Sequence, residues 1–177
     1  MDMDTTGKKQ SHEKILQKFE KDKIDILIGT QMVAKGLDFE NVTLVGVITA
    51  DTMLNINDYR SGERTFAMLE QVSGRAGRGS KEGRAVIQTY TPEHEAVSLV
   101  KSHNYRTFYD KEIAKRKLMW YPPFCKIVSV HFQGNVENTV AKTAKYFLNT
   151  AEKTQNVSQK IQVLGPVPSY ISKIKNK

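Results

Sequence analysis

The residues best suited to chemistry lie in one short stretch, Gln71-Val-Ser-Gly-Arg-Ala-Gly-Arg78. Arg75 and Arg78 each follow a glycine, and each carries a planar, permanently charged fork of donors. Two such groups suit a site where negative charge develops on phosphate oxygens, as it does when a γ-phosphoryl group is transferred. At a helix end or tight turn, a spacing of three lets both arginines point the same way. Gly74 and Gly77 would keep the backbone bare, so that it can approach a ligand or another lobe closely. Gln71, one turn earlier, can reach the same place. Glycine–arginine repeats also occur in basic loops that only bind RNA, so the stretch by itself leaves two readings open.

A second stretch, Gly29-Thr-Gln-Met-Val-Ala-Lys-Gly-Leu-Asp38, follows a short apolar run and precedes another. Thr30 and the amides around it can hold a nucleic-acid phosphate. Lys35 adds a cation. Asp38 can accept from a ribose hydroxyl, as acidic residues do in other nucleotide sites.

The surrounding pattern says what positions these groups. Continuous apolar runs at Asp25–Gly29 and Val42–Ile48 predict strands buried on both faces, hence a parallel sheet with helices above and below. Arg84–Tyr90 predicts a third strand, ended by Thr91-Pro92. Ser11 is placed to cap a helix through about Lys23, with Ile15, Leu16 and Phe19 on one side. A further helix is expected from Gly62 to about Ser73. Helix, strand, loop, strand, helix, strand is the order of an α/β domain, and it sets the arginines at a helix end.

Beyond Pro92 the texture changes. Two short helices are expected up to about Lys117, the second bearing Tyr105, Phe108, Tyr109 and Ile113 at helical spacing. Tyr121-Pro-Pro-Phe124 is expected to be extended and stiff, because each proline pushes its predecessor out of the helical region. Cys125–Phe132 alternates as a strand does. Val136, Val140, Ala144, Phe147 and Leu148 trace one helix face. Ile161–Leu164 begins another strand, and Gly165-Pro-Val-Pro168 turns the chain. Residues 172–177 complete no element, so the second domain is expected to be incomplete.

A chain of 177 residues, 39% of them hydrophobic, can form one ordinary domain or one and a half small ones. Its single cysteine, Cys125, excludes an internal disulfide and a Cys-rich zinc site, and fits a reducing cytosol. No run approaches membrane-spanning length and the first ten residues are polar, so neither a membrane span nor a signal peptide is expected. Charge is unevenly divided. Residues 1–92 carry 13 basic and 13 acidic side chains, whereas 93–177 carry 14 and 6. All of the net +8 therefore lies in the second half, which favours a polyanionic partner, nucleic acid first. Several of these cations cluster at Lys111, Lys115, Arg116 and Lys117. They are expected to stand free of the apolar side of their helix and to meet phosphates, the other reading being that they only dress the surface of the first domain.

Gln71–Arg78 matches Q-x-x-G-R-x-G-R at every fixed position, and Gly29–Asp38 has a Thr just after a strand and then Gly-x-Asp. In that order they resemble motifs VI and V of the superfamily 2 helicases. Four more strings narrow the likeness: Ala-Asp-Thr-Met-Leu-Asn (50–55), Gln-Thr-Tyr-Thr-Pro-Glu-His (88–94), Tyr-Pro-Pro-Phe (121–124) and Leu-Gly-Pro-Val-Pro (164–168). The chain resembles, from end to end, the primosomal protein N-prime family of replication-restart DNA helicases.

The resemblance implies a RecA-like helicase lobe 2, partly truncated, over residues 1–92. A helical connector would follow over 93–120, and the start of a small α/β DNA-contacting domain over 121–177. It implies a bacterial ATP-driven helicase that moves 3′ to 5′, recognises abandoned forks and assembles the primosome. Its partners would be primosome proteins, single-stranded DNA-binding protein and the replicative helicase loader. A cytoplasmic, nucleoid-associated monomer is expected. Arg75 and Arg78 become the catalytic candidates, with Gln71, Gly36 and Asp38 at the nucleotide. Thr30, Gln31 and Lys35 become nucleic-acid contacts, alongside Lys115, Arg116 and Lys117. Asp2 and Asp4, and Asp51 after its strand, are weaker inter-lobe candidates, an ordinary strand-end turn being the other reading of Asp51. ATP and Mg²⁺ would be held mainly by the family's first lobe, since no G-x-x-x-x-G-K-[ST] or D-E-x-H stretch occurs here. The family's zinc cysteines are also missing, so no metal is expected here, and the chain alone should not hydrolyse ATP. A stand-alone DNA- or primosome-binding module is the rival reading. An RNA-helicase lobe would not account for the proline strings.

Overall fold

The computed structural model describes residues 11–21, 24–30, 41–77, 82–154 and 161–169. It has two compact units, Met1–Lys126 and Ile127–Lys177.

In the first unit, β1 (Leu44–Val47) and β2 (Arg84–Ile87) pair in parallel, Leu44 opposite Arg84 and Val47 opposite Ile87. The Gln88 amide donates to the Val47 carbonyl at 2.9 Å and the Ala50 amide to the Gln88 carbonyl at 3.1 Å, which carries the pairing past both strand ends. Parallel neighbours need a crossover. Here it runs through α2 (Asp51–Leu54) and α3 (Ser61–Ser73). The face of α3 with Thr65, Phe66 and Leu69 is buried, and the Thr65 hydroxyl is satisfied by the Ser61 carbonyl at 2.8 Å.

After β2 come α4 (Glu95–Ser98), a 3₁₀ turn (Val100–Ser102) and α5 (Tyr105–Leu118). His94 Nδ1 accepts from the Ala96 amide at 3.1 Å, and the Asn104 carboxamide oxygen accepts from the Thr107 amide at 3.0 Å. These side chains satisfy the first amides of α4 and α5. Ala50, Phe66, Leu69, Ala96, Val97, Val100 and Phe108 form one core, with Phe66 stacked on Phe108 at 4.3 Å. Truncating a buried Phe costs roughly 3–5 kcal/mol, enough for this stack to fix α5 against α3. The helices after Pro92 thus share the core of the helix that precedes the arginine turn.

Three expectations are corrected. Leu44, Ile48 and Val86 are 62%, 72% and 46% exposed, whereas Val47 and Ile87 pack on the core. Among the described residues the sheet has two strands covered on one face. A continuous apolar run shows that both faces are apolar, but neighbours decide which is covered. Asp25–Gly29 is not regular strand, for the same reason that a strand exists only where a neighbour supplies a ladder. Tyr121–Phe124 is a turn rather than an extended segment: the Phe124 amide donates to the Tyr121 carbonyl at 3.0 Å.

In the second unit α6 (Glu137–Thr154) has the expected face, with Ala144 buried, Val140 and Leu148 half-buried, and Phe147 set edge-on to Phe132 at 5.5 Å. Of the two strands expected here, neither the part of Cys125–Phe132 in this unit nor Ile161–Leu164 is regular strand among the described residues.

Candidate functional site

The arginine stretch straddles the end of α3. Gln71 lies exposed in its last turn, and the amides of Gly74 and Arg75 close it by donating to the Glu70 and Val72 carbonyls, both at 3.0 Å. The chain then turns through Ala76 to Gly77, whose φ of 74° is left-handed and whose amide donates to the Val42 carbonyl at 3.0 Å. The turn is thereby tied to the strand segment at β1. A Cβ on Gly77 would lie 2.6 Å from the Gly83 amide nitrogen, and one on Gly83 would overlap the Gly77 nitrogen. Gly77 therefore keeps its backbone bare for Gly83 of the same chain, not for a separate ligand. A Cβ on Gly74, by contrast, would make an ordinary contact at 3.4 Å with the Glu70 carbonyl. Arg75 emerges half-buried from this turn. Arg78, Gln31, Lys35, Gly36, Asp38, Asp2 and Asp4 lie outside the described residues. Thr30 is exposed.

Polar contacts brace α3 at both ends. Glu70 receives His103 Nδ1 at 2.8 Å. At the other end of the helix, Arg116 of α5 donates to Glu63 at 2.7 Å and to Glu112 at 2.9 Å, with its own side chain only 14% exposed. Its guanidinium lies 5.1 Å from the Tyr59 ring centroid, and Tyr59 stacks on Tyr121 at 5.2 Å. Burial disfavours the charged guanidinium, but the two carboxylates outweigh it and raise the arginine's pKa. Asp58 binds Arg60 at 3.1 Å and Arg64 at 2.9 Å, and is held below the usual carboxylate range by Arg60 first.

The basic cluster differs from expectation here. Lys111 and Lys115 both reach Glu95, the former at 3.1 Å and the latter at 2.5 Å. Lys115 and Arg116, expected to face phosphates, are therefore neutralised within the protein. Lys117 is exposed and makes no ion pair among the described residues. The i,i+4 pair Glu112–Arg116 could be read from the sequence. Glu63 and Glu95, 53 and 20 residues away, could not.

Asp51 occupies the carboxyl ends of β1 and β2, where ligands favour open α/β sheets. It lines a cleft of about 250 Å³ with Ile48, Thr49, Gln88, Thr89 and Tyr90. Its carboxylate is already engaged, accepting from the Thr89 hydroxyl at 2.9 Å, the Tyr90 amide at 3.2 Å and the Thr91 hydroxyl at 3.3 Å. Burial works against its charge, but these bonds prevail and lower its pKa. Such saturation is that of a strand-end brace. No cluster of metal-ligating side chains occurs among the described residues, and no helix among them is long and apolar enough to cross a membrane.

Comparison with known proteins sets this α/β crossover and its arginine turn in a helicase C-terminal domain. Residues 2–80 match the family described as the helicase conserved C-terminal domain, and 117–177 that described as the primosomal protein N C-terminal domain. The chain is 50% identical over its whole length to replication restart protein PriA of Bacillus subtilis, and covers 22% of that protein. It is 44% identical over 98% of its length to the Synechocystis protein of the same name, covering 21% of it, and 40% identical over 90% to that of Borreliella burgdorferi, covering 24%. The chain belongs to the replication restart protein PriA family, and spans about a fifth of the length of these relatives.

Proposed function

We propose that this chain supplies the second-lobe half of an ATP-dependent, 3′-to-5′ DNA helicase acting in replication restart. Arg75 and Arg78 would meet the γ-phosphate bound by a first lobe, with Mg²⁺ and the adenine nucleotide held mainly there. Gln71, Gly36 and Asp38 would border the nucleotide, and Thr30, Gln31 and Lys35 would contact the DNA strand. The observation that carries this reading is the wedged turn after α3. A hydrogen bond from Gly77 to Val42 and the close backbone approach of Gly83 tie down the turn that carries Arg75, and charge stabilisation without reorganisation requires such a fixed base. Primosome proteins, single-stranded DNA-binding protein and a helicase loader are the partners proposed for the whole protein.

In a full-length protein carrying this chain, Arg78→Ala should lower kcat for DNA-stimulated ATP hydrolysis on the order of 10³-fold, with ATP affinity much less affected. An unchanged kcat removes Arg78 from the site. The chain on its own should show no ATP turnover.

A further inference from the structure

We propose that Trp120 is a stacking platform for the bases of single-stranded nucleic acid, flanked by Lys117 and Lys126 for its phosphates. The kind of ligand rests on the nucleic-acid reading above. The place rests on the end of α5.

That helix closes with two bonds: the Tyr121 amide donates to the Arg116 carbonyl at 2.8 Å, and the Trp120 amide to the Lys117 carbonyl at 3.5 Å. This pairing forces the residue after the C-cap into the left-handed region, a position that favours glycine because a Cβ is penalised there. Here the residue is tryptophan, at φ 56°. Burial of the indole does not offset that strain, since Trp120 is 66% exposed. Leu118 and Met119 beside it are 85% and 62% exposed. A large ring that strains its own backbone and gains little from packing is expected where the ring serves a ligand.

Charge selects the ligand. Between Glu112 and Glu137 the sequence has no acidic residue and four cations, Lys115, Arg116, Lys117 and Lys126. The first two are neutralised by Glu95, Glu63 and Glu112. Lys117 and Lys126 are exposed and make no ion pair among the described residues. Lys117 lies one turn before the ring. Lys126 is held near it because the Cys125 thiol donates to the Trp120 carbonyl at 2.8 Å. An exposed ring near cations that make no ion pair among the described residues is the arrangement that binds single strands without sequence preference, bases on the ring and phosphates on the ammonium groups.

Trp120 is the chain's only tryptophan, so its emission reports one position. The intact chain is titrated at low salt with oligothymidylate, dye-labelled to follow anisotropy, which detects binding anywhere, and unlabelled to follow tryptophan emission. Quenching with the same midpoint as the anisotropy is expected. Trp120→Ala should weaken binding about tenfold, and Trp120→Phe should keep most of it. Trp120→Gly separates ligand from fold: relief of the left-handed strain should raise Tm by roughly 2–4 °C while the same tenfold affinity is lost. Binding without quenching overturns the platform, leaves the nucleic-acid reading standing and assigns the ring to a protein contact. No anisotropy change at low salt overturns both. A lower Tm in Trp120→Gly makes the ring structural and overturns the proposal.

Discussion

The helices α3 and α5 both end in a turn with one residue in the left-handed region, and they fill that position in opposite ways. After α3 it is Gly77, at φ 74°, with the backbone of Gly83 where a side chain would go. After α5 it is Trp120, at φ 56°, carrying a ring left largely to solvent. The first turn is specified by its own chain: glycine is there because nothing larger fits. The second carries a bulky residue where glycine is favoured, and nothing in the packing asks for it. The same dihedral thus marks an architectural need in one place and a ligand-directed side chain in the other.

The sharpest way to break this contrast is Gly83→Ala. The dihedral of Gly83 is not left-handed, so a methyl there tests only the overlap with Gly77. The arginine turn should be displaced at a cost of roughly 3 kcal/mol, read as a fall in Tm. In the full-length protein ATP hydrolysis should fall with it, at a temperature where the variant is still folded. A melting curve like that of the wild type would mean that the turn has slack, and that its rigidity is not what positions the arginines.

How far the sequence alone carried the fold depends on the range of the contact behind each feature. The helices α1 (Ser11–Lys21), α3, α5 and α6 were legible because the spacing of Phe66 and Leu69, or of Val140 and Ala144, is a property of a dozen neighbouring residues. The cores of the strands at 42–48 and 84–90 were legible too. Coverage of one face only was not, since Leu44 and Val47 look equally apolar until α3 covers one of them. The arginine motif was found by its spacing, but the reason for its second glycine lies at Gly83, beyond the motif. The pairing of the basic cluster was not legible, because its counter-ions come from Glu63 and Glu95, on other helices. Trp120 left a trace that went unused: a helix stop with no glycine.

A second test asks whether α5 is merely attached to α3 or braces it. Arg116→Ala would strip two carboxylates of their partner and uncover Tyr59, at a cost of about 2 kcal/mol. Arg116→Lys should recover only part of this, because an ammonium cannot span Glu63 and Glu112 with a planar fork. If both variants melt like the wild type, the brace is a surface ornament and α5 relies on the Phe66–Phe108 stack alone.

The smallest effect concerns the cations that α5 does not offer to a ligand. Glu95 is held below the ordinary carboxylate range by hydrogen bonding to Lys115 first, against an opposing cost of burial, and then by Lys111. A depressed folded pKa contributes stability that is present above the unfolded value, near 4.5, and is lost as the pH falls through the lower folded value. Glu95 is 30% exposed and its lysines about half, so the pairing is worth no more than about 0.5–1 kcal/mol. Glu95→Gln should flatten the acid limb of the Tm–pH profile below pH 4.5 and leave neutral stability slightly reduced. It should also release Lys111 and Lys115, so that oligothymidylate binds a few-fold tighter at low salt and the gain fades as salt is added. Lys117→Ala should do the reverse, weakening binding and reducing the salt slope by about one unit, because that ammonium makes no ion pair among the described residues. If the two variants leave binding equally unchanged, α5 ends in solvated charge, and the contrast between its paired and unpaired lysines carries no function.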